Sequence, residues 1–256
     1  MPQLARRHVL TGLVGVPLAA VLADPRLAAA AAAGLEEVSL TTKGGKNVTA
    51  ALALPQSAPA PSVLLVHEWW GLNDQIKSVA AELAKEGYVA LAVDLYDGQS
   101  STTPDGARAL MQAVDRAEAT DTLESWVAWL RDHDKTTDKL GTVGWCFGGG
   151  WSLNASIAAP VDATVVYYGQ VTRTAEDLKQ LRGPVLGHFA IEDTWINQDM
   201  VSGFEAAMKA AGKPLDAHWY DAKHAFANPT SARYDEANAK LAWQRTLDFF
   251  AANLKG

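Results

Sequence analysis

The sequence predicts an α/β fold: one doubly wound, mainly parallel sheet with helices on both faces and an antiparallel hairpin at its start. Three observations point there. Short runs that are apolar throughout, at 62–67, 88–93, 140–145, 161–168, 184–189 and 216–220, alternate with amphipathic segments. That is the pattern of parallel strands covered on both faces. Two stretches of polar–apolar alternation, 36–42 and 46–54, flank Lys43-Gly44-Gly45 and read as a hairpin. Polar residues of reactive types stand just after several apolar runs, where an open sheet of this class places its ligand site. With 256 residues, 48% of them hydrophobic and 20% charged, the chain can bury a substantial core.

Taken in order, the chain opens with residues expected to lie outside the fold. Arg6-Arg7 precede an apolar run over 9–23, and an Ala-rich stretch follows at 28–33. Basic, apolar and small-residue zones in that order read as an export signal over 1–33. The paired arginines resemble a twin-arginine signal, which predicts a periplasmic or secreted protein. A run of fifteen is short of the roughly 20 residues a spanning helix needs, so no membrane contact is expected once the signal is removed. From 34 to 256 there is no internal repeat and no long linker, and a single monomeric domain is expected. After the hairpin, Ile76, Val79, Ala80 and Leu83 form one face of a helix that Gly87 stops. Arg108 falls in a second helical region. Leu123, Trp126, Val127 and Leu130 make the face of a third. Met200, Val201, Phe204 and Met208 line another, stopped at Gly212, and Trp243, Leu247 and Phe250 mark a C-terminal helix.

Composition excludes several classes of function. Lys and Arg number 22 against 29 Asp and Glu, a net charge of −7. Three of those basic residues and one acidic residue precede Gly34, so the domain itself carries −9. With no basic tract, a nucleic-acid partner is not expected. One cysteine rules out an internal disulfide and any Cys-rich metal site. His67-Glu68 lacks the H-E-x-x-H pattern and any clustered partner, so neither metal nor cofactor is expected.

The most informative stretch is Gly144-Trp145-Cys146-Phe147-Gly148-Gly149-Gly150, directly after an apolar run. It has the nucleophile-elbow spacing G-x-S-x-G with cysteine in place of serine. A sharp strand-to-helix turn leaves no room for Cβ atoms at the flanking positions. It also presents the thiol to the positive end of the following helix. Asp193 follows in Gly187-His188-Phe189-Ala190-Ile191-Glu192-Asp193, and His224 in Tyr220-Asp221-Ala222-Lys223-His224. Nucleophile, acid, histidine is the chain order of α/β-hydrolases. His224 would accept the thiol proton and Asp193 would orient it, with Glu192 and Asp221 as rival acids. His188 and His218 fall inside predicted strands and read as sheet residues, and His133 as a helix-end residue. In this fold the loop after the first parallel strand supplies one oxyanion amide and the residue after the nucleophile the other, here Trp69 and Phe147. Trp70 and Trp145, with Trp151 and Trp195, suggest an aromatic-lined pocket.

Together, His67-Glu68-Trp69-Trp70-Gly71-Leu72-Asn73, Asp94-Leu95-Tyr96, Gly144-Trp145-Cys146-Phe147-Gly148-Gly149, Tyr167-Tyr168-Gly169, Asp193 and His224-Ala225-Phe226 resemble the dienelactone hydrolases, cysteine-dependent α/β-hydrolases also called carboxymethylenebutenolidases. The resemblance spans 36 to the C-terminal helix. It implies Cys146 as nucleophile, Asp193 as acid, His224 as base, and Glu68 as a carboxylate that contacts the resting thiol and helps generate thiolate when substrate binds. One departure stands out. Family members that cleave dienelactones hold the substrate carboxylate with arginines, one of them four residues after the catalytic histidine. That position is Asn228 here, and Arg233 and Arg108 are the nearest replacements.

The reading is an exported hydrolase that opens a small carboxylic ester or lactone through an S-acyl enzyme and prefers uncharged substrates. A non-catalytic binding protein on the same scaffold and a redox protein using Cys146 are the alternatives. The complete triad set argues against the first, and the lack of a resolving cysteine against the second.

Overall fold

The computed structural model describes Val21 and residues 24–256. Arg6-Arg7 and most of the apolar run behind the export reading lie outside the described residues. One sheet of eight strands organises the rest: β1 (Glu36–Thr41), β2 (Asn47–Ala53), β3 (Ala60–Val66), β4 (Val89–Val93), β5 (Thr136–Trp145), β6 (Ala163–Tyr167), β7 (Val185–Ala190) and β8 (Leu215–Tyr220), in the order β1-β2-β4-β3-β5-β6-β7-β8. β1 and β2 form the antiparallel hairpin, β2 is antiparallel to β4, and every later pairing is parallel. All five residues of β4, all five of β6 and all six of β7 are buried, as runs apolar on both faces require.

Helices cover both sides. On one face lie α2 (Asp74–Lys85) and the C-terminal α8 (Glu236–Leu254), meeting Val63, Leu65, Ala90 and Val165 through Val79, Leu83, Phe250 and Leu254. On the other lie α4 (Arg116–Asp132), α5 (Phe147–Ala158) and α7 (Gln198–Ala211). α3 (Pro104–Ala113) leads into α4, and α6 (Ala175–Leu178) is a single turn beside α7. The helix starts follow local chemistry. Asn73, Thr103, Asp115, Asn197 and Asp235 each accept an amide of the first turn that follows. Gly212 closes α7 in the left-handed conformation, with φ of 69°.

A further helix, α1 (Pro25–Ala32), falls within the segment the sequence assigned to the signal. It rests against α2, where the Ser78 hydroxyl donates to Ala28 O at 2.9 Å and Ala31 packs with Val21 and Ala81. Among the described residues, no helix is long and apolar enough to cross a membrane, and no three metal-ligating side chains converge.

Candidate active site

β5 delivers the chain to Cys146 and α5 carries it away. Cys146 makes the turn with φ of 55° and ψ of −116°, held there by its N–H donating to Tyr167 O at 3.0 Å. A Cβ on Gly144 would stand 2.0 Å from Gly148 O, and one on Gly148 would stand 2.2 Å from Val66 O. The spacing of the motif is therefore steric. No side chain caps α5, so its first amides stay available. The Phe147 amide, together with that of Trp69 from the loop after β3, is directed at the Cys146 sulfur, and both favour its anionic form.

The remaining members arrive from the loops after β7 and β8. His224 places Nε2 3.1 Å from Cys146 Sγ and Nδ1 2.6 Å from Asp193 Oδ2. Asp193 Oδ1 accepts the amides of Trp195 at 2.9 Å and Ile196 at 3.0 Å. Burial works to raise the Asp193 pKa, but the bond and electrostatic attraction to the His224 imidazole and the two amides outweigh it, and the carboxyl lies below the usual range. The rival acids stay apart. Glu192 is exposed 3.8 Å from Lys223, and Asp221 is exposed on the loop. Ala225 follows His224 at a φ of 65°, and Tyr168 sits at 35°, so unusual backbone brackets the site on three loops.

Glu68 is fully enclosed behind this row. The Tyr168 hydroxyl donates to its Oε1 at 3.4 Å and the Asn228 amide donates to its Oε2. Asn228 is itself 2% exposed, and its Oδ1 accepts the amide and hydroxyl of Thr230. Asn228, expected at the substrate, is here buried with its amide on Glu68 and its carbonyl on Thr230. The carboxylate of Glu68 takes neutral donors, while the thiol is bonded to His224. Burial pushes the Glu68 carboxyl up, with Asn228, His224 and Tyr168 acting against it.

His67, which the sequence offered only as a metal-ligand type, fixes this loop. Its Nδ1 donates to Glu68 O at 2.6 Å and its Nε2 accepts the Leu95 amide at 3.2 Å, with its ring stacked on Phe147 at 5.9 Å. Tyr168 is the other residue whose part the sequence did not disclose. Besides binding Glu68, it packs its ring 5.1 Å from the His224 imidazole. The Tyr-Tyr-Gly run was the one available signal for it.

The remaining candidates divide. Trp70 is half-buried beside Trp69, ring centroids 4.8 Å apart, on the oxyanion loop. Arg233 is exposed, and its guanidinium lies over the Trp195 ring. Arg108 is exposed on α3 in an ion pair with Asp105 at 3.1 Å, and no hydrogen bond ties it to the thiol, His224 or Glu68. Trp145 also departs from expectation. Successive strand residues face opposite sides, and Trp145 stacks on Tyr167 at 5.4 Å inside the α2–α8 layer. There it lines a cavity of about 420 Å³ between those helices.

Known proteins share this architecture. The profile of the dienelactone hydrolase family matches residues 48–254. The carboxymethylenebutenolidase of Pseudomonas putida is 29% identical over 231 residues, covering 84% of this chain and 96% of that one. Protein usf of Aquifex pyrophilus is 32% identical over 219 residues, covering 81% and 94%. A solved Klebsiella pneumoniae structure assigned to the dienelactone hydrolases matches with a TM-score of 0.77 at 29% identity, covering 85% of this chain and 98% of that one. The matched region takes in β3 to β8 and every side chain of the site, and on that ground the chain belongs to the dienelactone hydrolase family, hydrolases of ester and lactone bonds.

Proposed function

We propose that this hydrolase opens a carboxylic ester or lactone through an S-acyl intermediate on Cys146. The observation that carries the reading is the unbroken run from Asp193 through His224 to Cys146, facing two free backbone amides. His224 Nε2 takes the thiol proton as sulfur attacks the carbonyl carbon. The carbonyl oxygen becomes an oxyanion held by the Trp69 and Phe147 amides, each such donor supplying about 3 kcal/mol to the transition state. The C–O bond then breaks, His224 returns its proton to the leaving oxygen, and the acyl group stays on sulfur. Water, deprotonated by the same nitrogen, attacks the thioester, and the thiol leaves with the proton regained from His224. Asp193 keeps the imidazole tautomer and stabilises the imidazolium throughout.

Hydrolysis of 4-nitrophenyl acetate tests this. Cys146→Ala is expected to lose several decades of rate, on the order of those lost in other nucleophile deletions, with unchanged thermal unfolding. Iodoacetamide should inactivate the wild type, with the adduct on Cys146. A folded Cys146→Ala variant with near wild-type turnover would overturn the mechanism.

The same reading extends to compartment. The Arg6-Arg7 pair and the apolar run behind it support export by the twin-arginine route. Arg6→Lys combined with Arg7→Lys should block it, and N-terminal sequencing of envelope protein should place the new end between Ala23 and Gly34. A cut before Asp24 would keep α1 on α2, while a cut at Gly34 would remove it and uncover Ser78 and Ala81. Recovery of only full-length cytoplasmic chain would refute the proposal.

A further inference from the structure

The cavity of about 420 Å³ between α2 and α8 is lined by none of Cys146, His224, Asp193 and Glu68. Its buried floor is Val79, Trp145 and Tyr167, which are 3%, 6% and 2% exposed. Val79 has no polar side-chain atom, and Tyr167 commits its hydroxyl to Thr246 at 2.7 Å. The polar side-chain group left on the floor is the indole N–H of Trp145, which meets no acceptor among the described residues. It is not sealed either. The wholly enclosed side-chain atoms without a partner belong to Tyr96, Ser125 and Trp126. A buried indole whose N–H is neither bonded nor sealed opens onto the space it borders, and Trp145 borders this cavity.

The lining restricts what can meet that donor. Its volume lies within the range of small-molecule sites, about 300–1,000 Å³. Trp145 is stacked on Tyr167 at 5.4 Å, and Trp243 of α8 adds a second indole to the wall, so a flat ring gains most from contact. The side chains of the floor offer a donor and no unengaged acceptor, so the ligand must carry the acceptor. At the rim, Glu82 pairs with Lys85 at 2.8 Å and Lys240 with Glu236 at 2.6 Å, while Glu86 enters no ion pair among the described residues. A negatively charged ligand would meet an unpaired carboxylate there and no free cation among the described lining residues.

We propose that this cavity is a second small-molecule site, separate from the thiol, and that it takes an uncharged planar aromatic ligand whose hydrogen-bond acceptor meets the Trp145 N–H. The inference goes beyond the ester-hydrolysis reading and stands without it. Its position is close behind the proposed chemistry. Trp145 precedes Cys146, and Tyr167 accepts the Cys146 amide at 3.0 Å. Ala227 and Pro229, which also line the cavity, bracket Asn228. A ligand there rests against the chain that presents the thiol and holds Glu68.

Quinoline, whose ring nitrogen is an acceptor, and naphthalene, of the same shape without one, test the site by titration followed in the nitrogen–proton spectrum. Quinoline should bind the wild type saturably with a Kd on the order of 0.1–1 mM, as suits so small a ligand. It should shift the indole N–H resonance that Trp145→Phe lacks. Trp145→Phe should lower the ratio of quinoline to naphthalene affinity about three- to tenfold, the loss of one hydrogen bond. Comparing ratios between the two proteins cancels the different hydrophobicity of the ligands and the change in cavity volume. Ala239→Trp, which fills the cavity from α8, should weaken both ligands at least about tenfold. 2-Naphthoate should bind at least about fivefold more weakly than quinoline. Wild type alkylated with iodoacetamide should bind quinoline with unchanged Kd, since the site excludes the thiol. An unchanged ratio in Trp145→Phe, or full quinoline binding in Ala239→Trp, would overturn the site. The second decides alone if Trp145→Phe does not fold. Loss of binding on alkylation, or no saturable binding at any soluble concentration, would overturn it too, and 2-naphthoate binding as tightly as quinoline would overturn the ligand class.

Discussion

Burial and the nearby Glu68 carboxylate push the Cys146 thiol up to about 12, against the pull of the Phe147 and Trp69 amides. At neutral pH the sulfur therefore rests as a thiol, and its proton moves to His224 only as attack begins. The resemblance implies that Glu68 helps generate thiolate when substrate binds; before that, in the resting structure, its carboxylate holds the thiol pKa up. Removing that charge should make the sulfur more acidic. Glu68→Gln is expected to speed iodoacetamide alkylation below the thiol pKa, about tenfold for each unit the pKa falls, and to move the midpoint of the rate–pH curve downward. Asn228→Arg should act with the same sign, because the guanidinium would pair with Glu68. A midpoint that stays in place or rises in both variants would show that Glu68 exerts no such control. Cys146, His224 and Asp193 were legible from motif and order alone because each has a fixed station at a strand end. The partners of Glu68 were not, since Asn228 and Tyr168 reach it from loops 160 and 100 residues away in sequence.

At the level of elements, the turn from β5 into α5 shows how closely the backbone is packed where the thiol is presented. Gly144→Ala would drive a Cβ into Gly148 O at 2.0 Å, and the atoms it meets are all backbone of Gly148 and Gly149, with nothing flexible to yield. Overpacking of that kind should cost at least about 3 kcal/mol, read as a large fall in denaturant midpoint or loss of soluble protein. Gly203, exposed in the middle of α7 with nothing within 4 Å of the place a Cβ would occupy, provides the contrast. Gly203→Ala should stabilise by about 0.8 kcal/mol and raise Tm by roughly 2–3 °C. Equal effects at the two glycines would remove the steric account of the elbow. Strand positions were legible because each buried run carries its own apolar signature. Other elements had no such signature. β5 begins at Thr136, four residues before its apolar part, because Thr136 pairs with Ala60 across a register shift. α6 is one turn held by a Thr174–Asp177 capping box, and α3 buries only Ala107. Short polar elements are set by caps and neighbours, and periodicity cannot reveal them.

Across the whole molecule, two buried imidazoles tie stability to pH. His188 lies beneath the sheet, its Nδ1 2.8 Å from the Tyr220 hydroxyl and its Nε2 3.0 Å from Thr246 Oγ1. Thr246 continues to the Tyr167 hydroxyl at 2.7 Å, and Arg245 donates to Tyr220 at 3.0 Å, so one network ties β6, β7 and β8 to α8. Burial holds the His188 pKa well below the ordinary value, and the charges of His218 and Arg245 lower it further. Burial also lowers His67, against its bond to Glu68 O and the charge of Asp94. Both side chains stay neutral in the fold but regain a pKa of about 6.5 when the chain unfolds. Above that pH neither state binds the protons, and the stability they confer is fully present. Below it the unfolded chain binds more protons than the fold, so stability falls with pH, by up to about 1.4 kcal/mol per unit for each histidine. Between pH 6.5 and 5.0 His188 alone should account for about 2 kcal/mol. His188→Gln should be less stable than wild type at pH 7.5, since it disturbs the Tyr220–Thr246 network, yet lose less between pH 7.5 and 5.0. Chemical denaturation at the two pH values reads the difference directly. An equal loss in both proteins would mean that His188 takes up a proton in the fold as readily as in the unfolded chain, and the neutral network would then be the wrong description of how β7 is joined to α8.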